Sequence, residues 1–229
     1  MMTKSIVVVG ASRGIGCEIV KQLAVNSNYS ILALSRNVSK MNANFANFNN
    51  VTCKPLDLAS DSVKATCEAH FSDLDSIDIL INNAGYLVNK PFPELTKEDL
   101  SMSYNVNALG VMETVQAALP KMTSAHIVNI SSIGGFQGSV KFPGLTAYST
   151  SKAALCSFTE LFAEEYKESS IKMNCLCLGA AQTEMLEEAF PGYEAPVSAA
   201  KMAEYIVDFS LNGDQWFNGK IIPVSLSTP

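Results

Sequence analysis

The chain has 229 residues, of which 48% are hydrophobic, and its 16 basic and 22 acidic residues leave a formal net charge of −6 at pH 7. No apolar run approaches the roughly 18 residues that a membrane-spanning helix requires, which argues against a membrane protein. The acidic balance argues against a general nucleic-acid binder, which would show a basic stripe. We therefore expect a globular protein with neither membrane nor nucleic-acid partners.

The N-terminal segment "MMTKSIVVVG" has one lysine and a short apolar run that leads directly into a glycine-rich turn. It lacks the layout of a signal peptide, so a cytoplasmic location is expected. The six cysteines include no CxxC pair and are interpreted as free, buried thiols. Cys175 and Cys177 share a predicted strand, whose two-residue period aims both sulfurs at one face. A metal site there lacks further ligands, and no metal is predicted.

Short apolar runs recur along the chain and predict strands at 5–9, 30–34, 50–56, 77–82, 125–131, 171–178 and 219–224. Most are continuously apolar, as expected of strands that are covered on both faces. Longer stretches with helical spacing separate them. This alternation predicts an α/β fold, a doubly wound parallel sheet of about seven strands with helices on both faces, in a single domain covering residues 1–229.

The first predicted strand runs into the turn "GASRGIG", which places glycines at Gly10, Gly14 and Gly16 before a helix. The N-terminus of a helix offers unpaired N–H groups and a positive dipole to a phosphate, and glycines let the backbone approach it closely. A purely structural turn is the alternative reading of this stretch.

The second predicted strand ends in "LALSRN". In dinucleotide folds an acidic residue near this point binds the ribose 2′-hydroxyl of NAD, whereas an arginine accommodates the 2′-phosphate of NADP. Arg36 occupies the position here, and a solvated surface arginine is the alternative. The chain has fourteen lysines and only two arginines, Arg13 and Arg36. Because both arginines fall where a planar phosphate donor is useful, the sequence favours NADP(H) over NAD.

Two segments repeat a Tyr-x-x-x-Lys spacing. In "YSTSK", Tyr148 and Lys152 open a strongly helical stretch, so they should lie on one helix face, where the ammonium lowers the pKa of the phenol toward neutrality. In "YLVNK", Tyr86 and Lys90 precede Pro91, which pushes Lys90 away from helical geometry. The second copy is therefore interpreted as a loop and a coincidence.

The chain contains a series of motifs in a recognisable order: "GASRGIG" at 10–16, "LDL" at 56–58, "NNAG" at 82–85, "NVNALG" at 105–110, "IVNISSIGG" at 127–135, "YSTSK" at 148–152 and "LGAAQT" at 178–183. In these motifs the sequence resembles the short-chain dehydrogenase/reductase family in its compact form. The resemblance implies an oxidoreductase that transfers hydride between NADP(H) and a small carbonyl or secondary alcohol. It also implies a homodimer or homotetramer.

The resemblance implies a catalytic set consisting of Asn107, Ser132, Tyr148 and Lys152. Ser131 competes with Ser132 for the role of the catalytic serine, but strand alternation aims Ser131 the other way. Asn105 is the neighbour that competes with Asn107. Tyr148 is expected to exchange a proton with the substrate oxygen.

The resemblance implies cofactor contacts at Gly10, Ser12, Arg13, Gly14, Ile15, Gly16, Arg36, Asp57, Leu58, Asn83, Ala84, Gly85, Tyr148, Lys152, Gly179 and Thr183. Among these, Asp57 and Leu58 are expected near the adenine and Thr183 near the nicotinamide carboxamide. The chain departs from the family at Leu178, where a proline is usual. The segment 184–196 is also shorter than the family's usual substrate lid.

Two other functions compete with this one. A non-catalytic NADP-binding sensor would use the same fold, although such proteins tend to lose the tyrosine or the lysine. A dehydratase or epimerase would need further acid–base residues, which the sequence does not identify. The substrate is expected to be a medium-sized apolar ketone or aldehyde, from loop residues that could line a pocket: Phe92, Phe136, Phe142, Met185, Phe190 and Tyr193.

Overall fold

The computed structural model describes residues 4–226, so the predicted domain limits at residues 1 and 229 lie outside the described residues. The strands are β1 (Lys4–Val9), β2 (Tyr29–Ser35), β3 (Val51–Pro55), β4 (Ile79–Asn82), β5 (Ser124–Ser132), β6 (Ser170–Leu178), β7 (Ala181–Gln182), β8 (Val197–Ser198) and β9 (Ile221–Val224). Seven of them form one parallel sheet in the order β3-β2-β1-β4-β5-β6-β9, and β7 pairs with β8 separately. The predicted doubly wound sheet is confirmed, because each of its seven strands coincides with a predicted apolar run.

Helices alternate with the strands along the chain: α1 (Gly14–Ala24), α2 (Val38–Asn44), α3 (Val63–Phe71), α4 (Lys97–Tyr104), α5 (Gly110–Ala118), α6 (Thr146–Glu165), α7 (Glu184–Ala189) and α8 (Ala199–Asn212). A π-helical turn at Asn105–Leu109 joins α4 to α5. Within residues 4–226, no helix combines the length and the apolar character needed to cross a membrane.

Both faces of the sheet are covered, which explains why the strand segments are continuously apolar. In β1, Ile6 and Val8 pack into the core formed with α1, α2 and α8, while Val7 and Val9 pack into the core formed with α3, α5 and α6. These four side chains are at most 2% exposed. Burying each is worth about 1.5–3 kcal/mol, so these two cores hold the sheet in place.

The strand order reverses at β1, whose two neighbours in the sheet are β2 and β4. In open α/β sheets this reversal leaves a crevice at the carboxyl ends of the strands, where ligands bind. At one edge, β9 contains Pro223, which lacks an N–H group and is tolerated because an edge strand has a free side. The crevice beside β1 is therefore the expected position of a ligand site.

Candidate active site

A cavity of about 590 Å³ opens at the carboxyl ends of the strands. Every predicted cofactor residue except Gly16 lines it, namely Gly10, Ser12, Arg13, Gly14, Ile15, Arg36, Asp57, Leu58, Asn83, Ala84, Gly85, Tyr148, Lys152, Gly179 and Thr183. Ser132 also lines the cavity, whereas Asn107 lies behind its wall and is fully buried. The structure therefore brings together residues from seven separate motifs.

Glycines shape the turn between β1 and α1. Gly10 has a φ of +87°, and a Cβ atom there would lie 2.6 Å from the backbone of Ala84. A Cβ atom on Gly16 would lie 2.2 Å from the carbonyl oxygen of Gly10 and 2.4 Å from Nδ2 of Asn83. Gly16 thus lets α1 pack against the turn, and its predicted contact with a cofactor stays a prediction.

Arg13 is already paired with an anion at the mouth of the cavity. Its guanidinium donates to both carboxylate oxygens of Glu188 on α7, with a distance of 3.0 Å for the Nη2 contact. A second pair joins Lys40 Nζ to Glu184 at 3.7 Å. The Arg13 hydrogen bond lowers the pKa of the Glu188 carboxyl. Two carboxylates of α7 therefore face basic residues beside the N-terminus of α1.

Arg36 differs from Arg13 in being free to bind a ligand. It is exposed at the edge of the cavity, and no residue between 4 and 226 forms a hydrogen bond or ion pair with its side chain. Nearby, Ser35 Oγ donates to Ser12 Oγ at 2.9 Å, which links the end of β2 to the glycine turn. An unpaired guanidinium beside this turn is suited to a phosphate.

Tyr148 lies in the first turn of α6 and lines the cavity beside Ser132. Burial raises the pKa of Tyr148, and a hydrogen bond with the Ser132 hydroxyl opposes that increase. The sequence had predicted a lowered pKa for Tyr148, caused by the neighbouring ammonium. That prediction is wrong, because desolvation of the buried phenolate dominates.

Lys152 follows one turn later on α6 and is 3% exposed. Its Nζ atom donates to the carbonyl oxygen of Ile130 on β5 at 2.8 Å, and burial lowers the pKa of Lys152 to about 8. The four-residue spacing does place Lys152 and Tyr148 on one side of the helix. However, the partner of the ammonium is a backbone carbonyl rather than the phenol.

Two neighbouring serines end β5, and their hydroxyls point in different directions. Ser131 Oγ donates to the carbonyl oxygen of Lys152 at 2.9 Å and is buried against α6. Ser132 Oγ accepts the N–H of Gly134 at 3.2 Å and lies at the phenol of Tyr148. Of the two serines, Ser132 is the one whose hydroxyl can reach a substrate oxygen beside Tyr148.

Asn107 lies in the π-helical turn, a distortion that often marks functional sites. Its Oδ1 atom accepts the N–H of Tyr86 at 2.8 Å, and its Nδ2 atom donates to the carbonyl oxygen of Tyr86 at 2.8 Å and to Ser151 Oγ at 2.9 Å. A Cβ atom on Gly85 would lie 3.6 Å from Asn107 Oδ1 and 3.5 Å from Lys152 Nζ. Asn107 therefore fixes the backbone next to Lys152, whereas Asn105 is only partly buried.

The second Tyr-x-x-x-Lys segment is a loop, as predicted. Lys90 pairs with Asp99 on α4, with Nζ 2.7 Å from Oδ2. Sequence reasoning nevertheless missed the contribution of Tyr86, which lines the cavity and whose backbone is held by Asn107. Its position directly after "NNAG" is the only signal in the sequence that could have found it.

The outer part of the cavity is largely apolar. Four of the expected loop residues line it, namely Phe142, Met185, Phe190 and Tyr193. Phe92 is 69% exposed instead, and Phe136 packs beside buried cysteines. Sequence reasoning missed other lining residues from the same region, including Val106, Leu145 and Leu186.

Known proteins resemble this chain in both sequence and fold. Residues 4–194 match the family described as short chain dehydrogenase. The oxidoreductase UcpA of Salmonella typhimurium is 33% identical over 80% of this chain and 72% of its own length. The 3-oxoacyl-(acyl-carrier-protein) reductase FabG of Chlamydia trachomatis is 26% identical over 98% of this chain and 96% of its own. A solved short chain dehydrogenase from Burkholderia cenocepacia, in complex with NADP, has the same fold, with a TM-score of 0.87. It is 24% identical to this chain, and the match covers 98% of this chain and 97% of that structure's chain.

Proposed function

Because the chain belongs to the short-chain dehydrogenase/reductase family of oxidoreductases, we propose that it transfers hydride between NADP(H) and a carbonyl or secondary alcohol. The observation that carries the proposal is the meeting of Ser132, Tyr148 and Lys152 at one wall of the cavity. These three groups supply what a carbonyl reduction needs besides hydride, namely a hydrogen-bond donor, a proton and a positive charge.

The residues of the cavity fit NADP(H). The turn at Gly10 has no side chain to block a phosphate, the N-terminus of α1 follows it, and Arg36 is unpaired within the described residues. Asp57 and Leu58 would hold the adenine, and Thr183 and Gly179 would hold the nicotinamide end of the cofactor. The other predicted cofactor residues would contact the part of the cofactor between these two ends. When bound, the nicotinamide supplies or accepts the hydride.

The chain's own side chains supply the proton for the carbonyl oxygen and stabilise the negative charge that forms. In the direction of reduction, Tyr148 donates its phenolic proton to the carbonyl oxygen while Ser132 donates a hydrogen bond to the same oxygen. The ammonium of Lys152 stabilises the phenolate that remains and would hold the ribose hydroxyls of the bound cofactor. Asn107 positions this ammonium by holding the backbone at Tyr86, next to Gly85. Oxidation of an alcohol uses the same groups in reverse.

The outer cavity supports a medium-sized apolar ketone or aldehyde as substrate, because Phe142, Met185, Phe190 and Tyr193 line it. We further propose that residues 1–229 form one domain that carries both cofactor and catalytic groups. As part of the same proposal, the protein acts in the cytoplasm as a homodimer or homotetramer, without nucleic-acid or membrane partners.

Tyr148→Phe tests the proposal, with Tyr166→Phe as a matched control beyond the far end of the same helix. We expect Tyr148→Phe to reduce turnover of NADPH with a panel of ketones and aldehydes by about 1,000-fold or more, with NADPH affinity retained within about 3-fold. Tyr166→Phe should turn over normally. Wild-type protein that binds NADPH without oxidising it in the presence of any carbonyl would instead support the sensor function. Full activity in Tyr148→Phe would contradict the mechanism.

A further inference from the structure

Three cysteine sulfurs meet behind the cavity wall that carries Ser132, Tyr148 and Lys152. Cys175 and Cys177 lie two residues apart on β6, and Cys156 reaches them from α6. The Sγ atom of Cys156 lies 3.5 Å from that of Cys177 and 3.9 Å from that of Cys175, and all three lie within 4.8 Å of one another. The sequence had predicted only a pair of sulfurs on one strand, so its argument that a metal site lacks further ligands no longer holds.

The distances fit one shared ion. A metal–sulfur bond of about 2.3 Å places three sulfurs about 4.0 Å apart when they surround an ion in one plane. To reach this value, the 3.5 Å separation must open by about 0.5 Å and the 3.9 Å separation by about 0.1 Å. The third separation, which is within 4.8 Å, must change by less than about 1 Å. Packing alone would be satisfied by any small apolar side chain at these positions, and it does not require three sulfurs to converge.

The surroundings select the kind of ion. Cys156 is 8% exposed and the other two cysteines are fully buried, so an ion would enter without its water shell. No histidine, aspartate, glutamate or further cysteine joins the three sulfurs in residues 4–226. The nearest hydroxyl, that of Ser131, accepts from the Cys156 thiol at 3.4 Å and already donates to the carbonyl oxygen of Lys152. A fourth ligand for tetrahedral zinc is therefore lacking in the described residues.

From this geometry we propose that Cys156, Cys175 and Cys177 form a three-coordinate binding site for a soft monovalent ion, Cu(I). Soft sulfur ligands favour this ion. Coordination replaces the S–H bonds of two thiols with Cu–S bonds and releases two protons to solvent. The third thiol keeps its proton and binds through a sulfur lone pair, so the oxidation state of copper does not change. The complex then carries one net negative charge, and the buried Lys152 ammonium is close enough to interact with all three cysteines electrostatically.

The proposal can be tested on the reduced, full-length protein without measuring turnover. The protein is titrated anaerobically with Cu(I) in competition with a coloured Cu(I) chelator, and near-ultraviolet thiolate-to-copper absorption is recorded. We expect one tightly held equivalent per chain. Cys177→Ser and Cys156→Ala should each weaken the binding by at least about 10-fold and remove the absorption. Cys67→Ser is the matched control, since Cys67 is fully buried but bonds to Thr114 rather than to another sulfur.

The outcomes separate the proposal from its alternatives. Undiminished binding in both cluster variants, or loss of binding in Cys67→Ser alone, would overturn it. Displacement of Cu(I) by an equimolar amount of Zn(II) would also overturn it, because it would require a fourth ligand. Circular dichroism and thermal unfolding establish that each variant is folded, and the two different cluster variants keep the test decisive if one of them does not fold.

Discussion

The cavity wall that carries Ser132, Tyr148 and Lys152 and the helix α7 line the same cavity but are held in place by different forces. Lys152 at this wall and Asn107 behind it are buried and bonded to backbone groups of other elements. On α7, Glu188 is exposed and is held by its ion pair with Arg13. Buried polar groups are costly to leave unpaired, whereas exposed ion pairs are worth little and are screened by salt. We therefore expect large effects from changes at the wall and small, salt-dependent effects from changes on α7.

After Tyr148→Phe, the largest effect is expected for Lys152→Met. The variant removes the charge that supports the Tyr148 phenolate, so kcat with NADPH should fall by about 100- to 1,000-fold. Lys167→Met, just beyond α6 and exposed to solvent, is the control. Steady-state kinetics at saturating NADPH measures both variants. A kcat of Lys152→Met within a few-fold of the wild type would show that the buried ammonium has only a structural role.

Asn107→Ala should affect both stability and rate. It leaves the N–H and carbonyl groups of Tyr86 without their partner, so the free energy of unfolding should drop by about 1–3 kcal/mol. We expect kcat to fall by about 10- to 100-fold, because the backbone at Tyr86, which lies next to Lys152, is no longer fixed by Asn107. Asn105→Ala, in the same π-helical turn, should change neither quantity appreciably. Urea unfolding and kinetics test the pair, and equal effects of both variants would contradict the assignment.

Arg36→Asp tests the cofactor preference at the exposed edge of the cavity. Loss of a charge-assisted hydrogen bond and the introduction of like charge should weaken NADPH relative to NADH by about 10- to 100-fold. Fluorescence titration with both cofactors measures the ratio of their dissociation constants. Lys64→Asp, an exposed change on α3, is the control. An unchanged ratio in Arg36→Asp would make Arg36 an ordinary surface residue.

The smallest effect is expected for Glu188→Gln on α7. The Glu188 carboxylate pairs with Arg13, so its removal should free that guanidinium and tighten NADPH binding by about 2- to 5-fold. The gain should shrink at about 0.5 M salt, where the charges are screened. Glu187→Gln on the same helix is the control, since glutamine can still accept the hydrogen bond from Gly192. Weaker NADPH binding in Glu188→Gln would mean that Glu188 holds Arg13 in place for the cofactor.

The fold was largely predictable, and all but one of the residues predicted to bind the cofactor line one cavity. Continuous apolar runs predicted all seven strands of the main sheet, because a strand that is covered on both faces is apolar at nearly every position. Pro91 correctly predicted that the Tyr-x-x-x-Lys segment at Tyr86 is a loop, whereas the one at Tyr148 is helical. This was possible because the effect of a proline on the preceding residue is local. The role of Gly16 was not predictable, since its constraint comes from the approach of Gly10 and Asn83.

Local features of this protein, namely its strands, its glycine turn and the helical setting of Tyr148, follow from the sequence, because backbone geometry and periodic burial act over a few residues. Its side-chain partnerships do not. Arg13 meets Glu188, Lys152 meets the carbonyl of Ile130, and Cys156 meets the two cysteines of β6. In each case the partners are distant in the sequence, and the packing of helices on the sheet sets which of them touch. The same packing determines the pKa of Tyr148, because its burial depends on everything around the cavity.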